Sequence, residues 1–462
     1  METYLPQLLL ESLEGLPGYD RAAFENIHQS GEQVISVRLN NRKVHAIAEL
    51  VFADATISGK VPWNADGYYL SKRPSFTLDP VFHAGAYYVQ EASSMFLEQA
   101  LRHTTDLTQS IKVLDLCAAP GGKSTLLQSL ISSTSLLVSN EVIKTRVNVL
   151  AENITKWGAA NVIVTNNDPK DFKRLQNYFD VIVVDAPCSG SGLFRRDAAL
   201  VEEWSPQNVT MCSQRQQRIL ADVLPALKEG GSLIYSTCSY SESEDESIAD
   251  WLVEECHLLP VAIPTQQEWQ IVETRSPKQQ AGGYRFYPDK VKGEGFFIAA
   301  FTKGEKGTPV WQSNKYKTKS ERLTAKEVDI VQPYLDTAES FFFIKQNDET
   351  IALPAHLENE LATIQHNLYI KKAGVKMGTI IRNELIPDHE LALSNSISKT
   401  IPAVEVDKAT ALQYVRKQEI KIATDLKGWI LLTHLHLSLG WIKILPNRIN
   451  NYYPANWRIL NK

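Results

Sequence analysis

From residue 112 onward the chain alternates between two spacings of apolar residues. Lys112 to Cys117 is a β-branched and apolar run that ends in a glycine-rich turn, and Lys123 to Ser132 follows with helical spacing. Leu136 to Glu141 predicts a second strand and Lys144 to Lys156 a second helix. Val162 to Asn166, Phe179 to Asp185 and Ser232 to Thr237 continue the strand series, with a long helix predicted from Pro206 to Lys228. Gly230-Gly231 turns the chain sharply into the fifth strand. Arg285 to Phe301, with Gly293-Glu294-Gly295 inside it, predicts a closing hairpin. Strands alternating with helices across short connections predict an α/β fold with a doubly wound, mostly parallel sheet.

The flanks read differently. Residues 1–95 predict a smaller α+β unit with no chemical motif of its own, and residues 96–302 hold the α/β core. The Lys-rich stretch 303–326 is the expected linker. Residues 327–462 predict a mixed α+β region ending in an aromatic, basic segment with Trp441, Lys443, Arg448, Tyr452, Tyr453, Trp457 and Arg458. The most apolar stretch, Trp429 to Leu445, is interrupted by His434, His436, Ser438, Gly440 and Lys443, so packed strands or helix are expected there and not a membrane span. Met1 to Glu14 lacks a basic region, which argues against a signal peptide and for the cytosol.

Charge refines this picture locally. The whole chain carries −5, but residues 303–326 hold seven bases against two acids and residues 403–462 nine against four, each a balance of +5. A charge run is usually a solvated surface; two basic regions around an acidic core nevertheless suit a polyanion. Five cysteines (117, 188, 212, 238 and 256) form no CxxC pair, which argues against structural zinc and a disulfide scaffold.

Three strand ends carry the chemistry. The first, Asp115-Leu116-Cys117-Ala118-Ala119-Pro120-Gly121-Gly122-Lys123, passes from strand to helix. Its small residues let a ligand approach the backbone, and amides at a helix start favour an anionic group such as a carboxylate. The second is Asp185-Ala186-Pro187-Cys188 with Ser189-Gly190-Ser191-Gly192, the third Ser236-Thr237-Cys238-Ser239. Glu141, about twenty residues beyond the glycines, is placed to receive ribose hydroxyls, and Asp168, after the third strand, to reach an adenine amino group. Either acid could equally cap a helix.

Together these segments suggest an S-adenosyl-L-methionine site facing two thiols, the equipment for methylating a pyrimidine ring carbon. Carbon 5 of cytosine is a poor nucleophile until a thiolate adds at carbon 6 and makes the ring an enamine. A carboxyl group must hold or protonate nitrogen 3 and the amino edge, a role suited to Asp185. A second acid–base group must then help expel the thiol. Cys188 and Cys238 end neighbouring predicted strands, so both should face one crevice, but spacing does not say which attacks.

The motif set resembles the NOL/NOP/Sun family of RNA (cytosine-5) methyltransferases, in particular its bacterial RsmF-type ribosomal RNA members. The matching segments are Cys117–Lys123, Asp185–Gly192 with Arg195-Arg196-Asp197, Ser236–Ser239 with Glu244 and Glu246, Ala84–Met95 and Gly293–Phe297. Asp245 and Ala198 depart from the family's usual Asn and Pro. The resemblance implies a Rossmann-like methyltransferase core and a PUA-like C-terminal end. It implies that Cys238 is the nucleophile, that Cys188 assists product release and that Lys123 lies beside the catalytic Asp185. It further implies cofactor contacts at Cys117, Ala118, Ala119, Pro120, Gly121, Gly122, Lys123, Glu141, Asp168 and Asp185, and RNA-binding flanks.

The leading expectation is methyl transfer to carbon 5 of a cytidine in 16S ribosomal RNA, free or in the small subunit, by a cytosolic monomer without membrane or metal. Transfer RNA as substrate, or a non-catalytic RNA-binding assembly factor, are the alternatives. For the flank aromatics Trp441, Tyr453 and Trp457, a place in the core of a small β domain is favoured over stacking on bases.

Overall fold

The strand series starting at Lys112 forms the middle of a ten-stranded sheet. In the computed structural model, which describes residues 5–52, 55–304 and 316–460, β1 (Lys112–Asp115), β2 (Leu136–Asn140), β3 (Val162–Thr165), β4 (Phe179–Asp185) and β5 (Leu227–Thr237) run parallel in the order β5-β4-β1-β2-β3. Antiparallel strands extend both edges. Beyond β5 lie β6 (Leu258–Val261), β7 (Val272–Arg275), β8 (Gly282–Phe286) and β9 (Phe296–Lys303), with β9 paired directly to β5 and β8–β9 forming the expected hairpin. On the far edge β3 pairs with β10 (Ile370–Ala373), a strand supplied by the C-terminal region. Lys306 and Lys315 of the expected linker lie outside the described residues.

Both faces of the sheet are covered, so the middles of its central strands are buried. Val113, Leu137, Val162, Val181, Val183 and Ile234 point to one layer, which contains Leu126 and Leu127 of α1 (Gly122–Leu130) and Val147, Leu150 and Ile154 of α2 (Lys144–Trp157). The alternate residues Leu114, Val138, Ile163, Ile182, Val184 and Leu233 meet the opposite layer. That layer contains α3 (Pro206–Val223), α4 (Glu246–Glu254) and α5 (Glu358–Asn367). Sequence patterning anticipates α1, α2 and α3 but not α4, and that α5 comes from beyond residue 327 to cover the core sheet is a tertiary result.

The N-terminal region forms a four-stranded sheet in the order Ile57–Lys60, Gly67–Leu70, Ile35–Leu39, Tyr87–Val89. It docks on α1 and α2 through Arg38, which is 1% exposed. Arg38 donates to Gln90 Oε1 at 2.8 Å and to Thr125 Oγ1 at 2.6 Å, and lies over the Trp157 ring. The C-terminal region carries a five-stranded sheet, including Phe341–Gln346, Glu349–Pro354 and Val375–Ile381, and a four-stranded one built on the hairpin Gly428–His434/Leu437–Leu445. Trp441 and Tyr453 are buried in these cores, as favoured from the sequence; Trp429 and Tyr452 are the aromatic pair nearer the surface. Among the described residues no helix is long and apolar enough to cross a membrane.

The three regions converge on the C-terminal end of α2. The last carbonyls of a helix have no partner within it and carry its negative dipole end. Lys43 supplies the answer: its ammonium donates to Lys156 O, Ala84 O and Leu393 O, each at 2.8 Å, one carbonyl from each region. Asn40 Nδ2 donates to Trp157 O and Gly85 O at 3.0 and 2.9 Å. Glycine is required at two points here. A Cβ on Gly85 would lie 1.8 Å from Lys156 O, and one on Gly158, at φ +89°, 2.4 Å from Leu393 O. Replacing Lys43 with Ala strips a donor from three carbonyls at once. We expect a loss of about 2–4 kcal/mol in urea unfolding of the full chain, with an unfolding curve that separates into steps.

Candidate active site

The three chemical segments end neighbouring parallel strands at the carboxyl edge of the sheet, where doubly wound folds place their sites. β4 and β5 pair in the register Asp185↔Ser236. The chain beyond each strand end then carries Cys188 and Cys238 together, with Sγ–Sγ at 3.1 Å and both cysteines free. Gly192 makes this junction possible: a Cβ there would meet Gly295 O at 2.4 Å and Cys238 O at 2.9 Å. Instead Gly192 N donates to Cys238 O, and Gly295 N to Gly192 O.

Glu244, fully buried, ties the two thiol segments to each other. It accepts from Ser189 N at 2.8 Å, Ser189 Oγ at 2.5 Å, Ser239 Oγ at 2.6 Å and Gln216 Nε2 at 3.3 Å. Ser189 follows Cys188 and Ser239 follows Cys238, so one carboxylate sets both. Burial pushes its carboxyl above the ordinary range, against the pull of these four donors. Asp245, the departure noted in the sequence, accepts from Thr237 Oγ1 at 2.6 Å and pairs with Arg285 at 3.2 Å. It does not touch a thiol, but it holds the residue before one.

Lys123 and Asp185 face each other across the mouth of β1 and β4, with Nζ–Oδ2 at 2.7 Å. Ser236 Oγ donates to the other Asp185 oxygen at 2.8 Å. Burial disfavours the Lys123 charge, but Asp185, Cys238 and Asp115 outweigh it and hold the ammonium above its ordinary range. Cys188 is raised well above its ordinary range, chiefly by its hydrogen bond to Cys238 and then by burial. Cys188 is thereby favoured as a thiol, in contact with Cys238, which also lies within electrostatic reach of Lys123.

These groups open on a cavity of about 330 Å3 lined by Cys117, Ala118, Ala119, Pro120, Gly122, Lys123, Asp185 and Cys238. Its remaining wall includes Tyr88–Glu91 and Ser94 of the N-terminal region, and Arg196 and Phe296. The N-terminal region, expected to hold no chemical motif, therefore forms part of this wall. Glu141 and Asp168 sit at the same sheet edge, after β2 and β3, but outside this lining. Glu141 accepts from Ile143 N at 2.9 Å and faces Arg146 at 3.6 Å. Asp168 caps the turn Pro169–Arg174 by accepting from Lys170 N at 3.1 Å.

The turn fits a carboxylate- and ribose-bearing cofactor. Gly121 adopts φ +119°, and a Cβ on Gly122 would press on the Tyr88 ring at 3.3 Å. Asp115, fully buried below the turn, accepts from Ser124 Oγ at 2.6 Å through Oδ2, while Oδ1 has no partner among the described residues. The site residues expected from the sequence begin at Cys117 and omit Asp115, Glu244 and Tyr88. Asp115 was legible as the acid ending the first strand; the role of Glu244 depends on contacts that spacing does not show.

Known proteins resemble this chain along most of its length. The family described as 16S rRNA methyltransferase RsmB/F matches residues 103–302, its RsmF N-terminal domain residues 5–92 and the RsmF PUA domain residues 401–459. The chain is 29% identical over 437 residues to the ribosomal RNA small subunit methyltransferase F of Shewanella woodyi, covering 91% of this chain and 89% of that one. It is 29% identical over 449 residues to the protein of the same name from Shewanella baltica, at 91% and 90% coverage. A methyltransferase homologue from Pyrococcus horikoshii superposes with a TM-score of 0.52 and 26% identity, over 65% of this chain and all of that one. NSun6 from Pyrococcus horikoshii, crystallised with SFG, shares the fold at TM-score 0.53 and 18% identity, over 66% of this chain and all of that one.

Two measurements test the site. Glu244→Gln turns one acceptor into a donor that faces hydroxyls and an amide. We expect kcat to fall about 10–100-fold, equivalent to about 1.4–2.7 kcal/mol, while cofactor affinity by calorimetry stays unchanged. For Asp115, burial pushes the carboxyl from 3.8 up to about 7 in the fold. Within that window the folded chain holds more protons than the unfolded one, so stability must fall as pH rises. Thermal unfolding of the cofactor-free protein should therefore show Asp115→Asn gaining on the unaltered chain from pH 4 to pH 7 (about three pH units). A constant gap would contradict the buried-acid assignment.

Proposed function

The chain belongs to the RsmB/F family of 16S ribosomal RNA methyltransferases, and we propose that within it Cys238 adds to the cytidine and Cys188 ends the reaction. The enzyme transfers methyl from S-adenosylmethionine to carbon 5 of a cytidine in ribosomal RNA through a covalent cysteine–cytosine intermediate. One observation supports this assignment of roles: Cys238 lines the cavity beside Lys123 and Asp185, and Cys188, outside that lining, contacts it at 3.1 Å.

When bound, the cofactor supplies an electrophilic methyl group on a sulfonium. The Cys117–Lys123 turn would hold it, with the amides at the start of α1 toward its carboxylate and Glu141 and Asp168 toward its ribose and adenine. An S-adenosylmethionine analogue, SFG, accompanies the NSun6 fold relative.

The remaining groups act on the base. A stacked cytosine is closed to attack at carbon 6, so the base must be unpaired or flipped into the cavity. Asp185, held by Lys123 and Ser236, receives the ring edge at nitrogen 3 and the amino group, and a proton reaching nitrogen 3 comes from this pair. The Cys238 thiolate, next to the Lys123 ammonium, forms a bond to carbon 6, which leaves carbon 5 nucleophilic. After methylation a base must take the proton from carbon 5, and the electron pair of that C–H bond expels Cys238. Cys188 is placed to assist this release. RNA reaches the site from the flanking regions; a monomer in the cytosol, where its substrate is made, completes the proposal. A purely structural assembly factor would leave the paired thiols and the Lys123–Asp185 pair without a role.

The test is a denaturing gel of protein incubated with cofactor and ribosomal RNA from cells lacking this enzyme. Cys188→Ala is expected to give a slow-migrating protein–RNA adduct, and Cys188→Ala/Cys238→Ala none. An adduct that survives loss of Cys238 would reverse the thiol roles.

A further inference from the structure

A second cavity, of about 260 Å3, lies against the reaction cavity. Val89, Gln90, Glu91 and Arg196 line both, so the two are halves of one groove divided by a shared wall. The second half is also bounded by Arg73 and Glu294. It falls just below the roughly 300–1,000 Å3 of small-ligand sites, a size for one nucleotide and not for a duplex.

Its polar groups have unmet bonding capacity of two kinds. Glu294 is 2% exposed, and neither carboxyl oxygen receives a hydrogen bond from the described residues. Its ion-pair partner is Arg195, at 3.6 Å. Burial pushes the Glu294 carboxyl up to about 7; Arg195 and Arg196 pull it down and Glu91 pushes it up. A buried acceptor pair left open in a cavity wall calls for N–H donors from a ligand. Arg73 and Arg196 are both exposed at the rim, Arg73 with its guanidinium over the Phe76 ring. Among the described residues neither guanidinium has a hydrogen-bond partner. Arginine forks of this kind match the paired oxygens of a phosphate.

A cytidine in the reaction cavity is one link of a strand, and its neighbour begins one phosphodiester away. On the functional reading above, we propose that the second cavity holds the nucleotide next to the target cytidine. Its phosphate lies on Arg73 and Arg196, and the N–H edge of its base on Glu294. Single-stranded RNA is read in this way, by base edges once the bases are unstacked.

The test uses 16S ribosomal RNA transcribed in vitro and small subunits from cells lacking the enzyme, whichever the unaltered protein methylates. Arg73→Gln/Arg196→Gln should raise the RNA KM about tenfold, with cofactor affinity by calorimetry unchanged. The salt dependence of RNA binding should become shallower by about 0.7 for each phosphate that the variant no longer neutralises. An unchanged KM and salt slope would overturn the phosphate site. For Glu294, each neighbour of the target is replaced in turn by an analogue lacking its amino group. At one neighbour the unaltered enzyme should slow about fivefold while Glu294→Gln, already slow, slows no further. Additive effects at both neighbours would overturn the base contact. Cofactor binding without methyl transfer to either RNA by the unaltered protein would instead remove the activity on which the subsite rests.

Discussion

The parallel pairing of β4 with β5, in the register Asp185↔Ser236, is the constraint on which the rest depends. Side chains alternate across a strand, so a slip of one residue would turn each to the other face. In the observed register Asp185 receives Ser236, and the segments that follow carry Cys188 and Cys238 to 3.1 Å. Hydrophobic burial secures that register from both sides, because Ile182, Val184 and Leu233 serve one layer and Val181, Val183 and Ile234 the other. Glu244 then fixes what the strands leave free, the conformation of the two loops after their last residues.

The cavity wall is assembled in a second way, by docking of the N-terminal region. Arg38 joins Gln90 of that region to Thr125 of α1, within hydrogen-bond reach on both sides. Gln90 lines the cavity, and α1 begins with the glycine-rich turn, so the contact that unites two regions also shapes the site. Lys43 joins three regions at the end of α2. Because α5 and β10 are built into the core layers, the C-terminal region is part of the methyltransferase core as well as a neighbour of it. Chemistry and domain docking are therefore coupled at Arg38, which joins the N-terminal region to α1 through Gln90 of the cavity wall.

Much of this was legible in the chain. The alternation of strand and helix from residue 112 determined the parallel centre of the sheet, since a buried strand and an amphipathic helix have different apolar periods. The strand ends at Asp115, Asp185 and Thr237 marked where chemistry would gather, because such sheets expose ligands at their carboxyl edge. The resemblance of the motifs to a known family pointed to the cofactor, the base and the roles of the thiols.

Only the tertiary structure decided the rest, since each remaining feature depends on distance between residues far apart in sequence. The separation of the two sulfurs, the four donors on Glu244 and the oxygens of Asp115 and Glu294 that receive no hydrogen bond from the described residues have no periodic trace. The burial of Trp441 and Tyr453 was favoured beforehand, but composition alone could not separate a core ring from a stacking one. Local pattern records which face of an element is buried; it does not record which element comes to cover it. That is why the strands were legible in the sequence, while the reach of Lys43 across three regions and the strand lent by residues 370–373 emerged only from the fold.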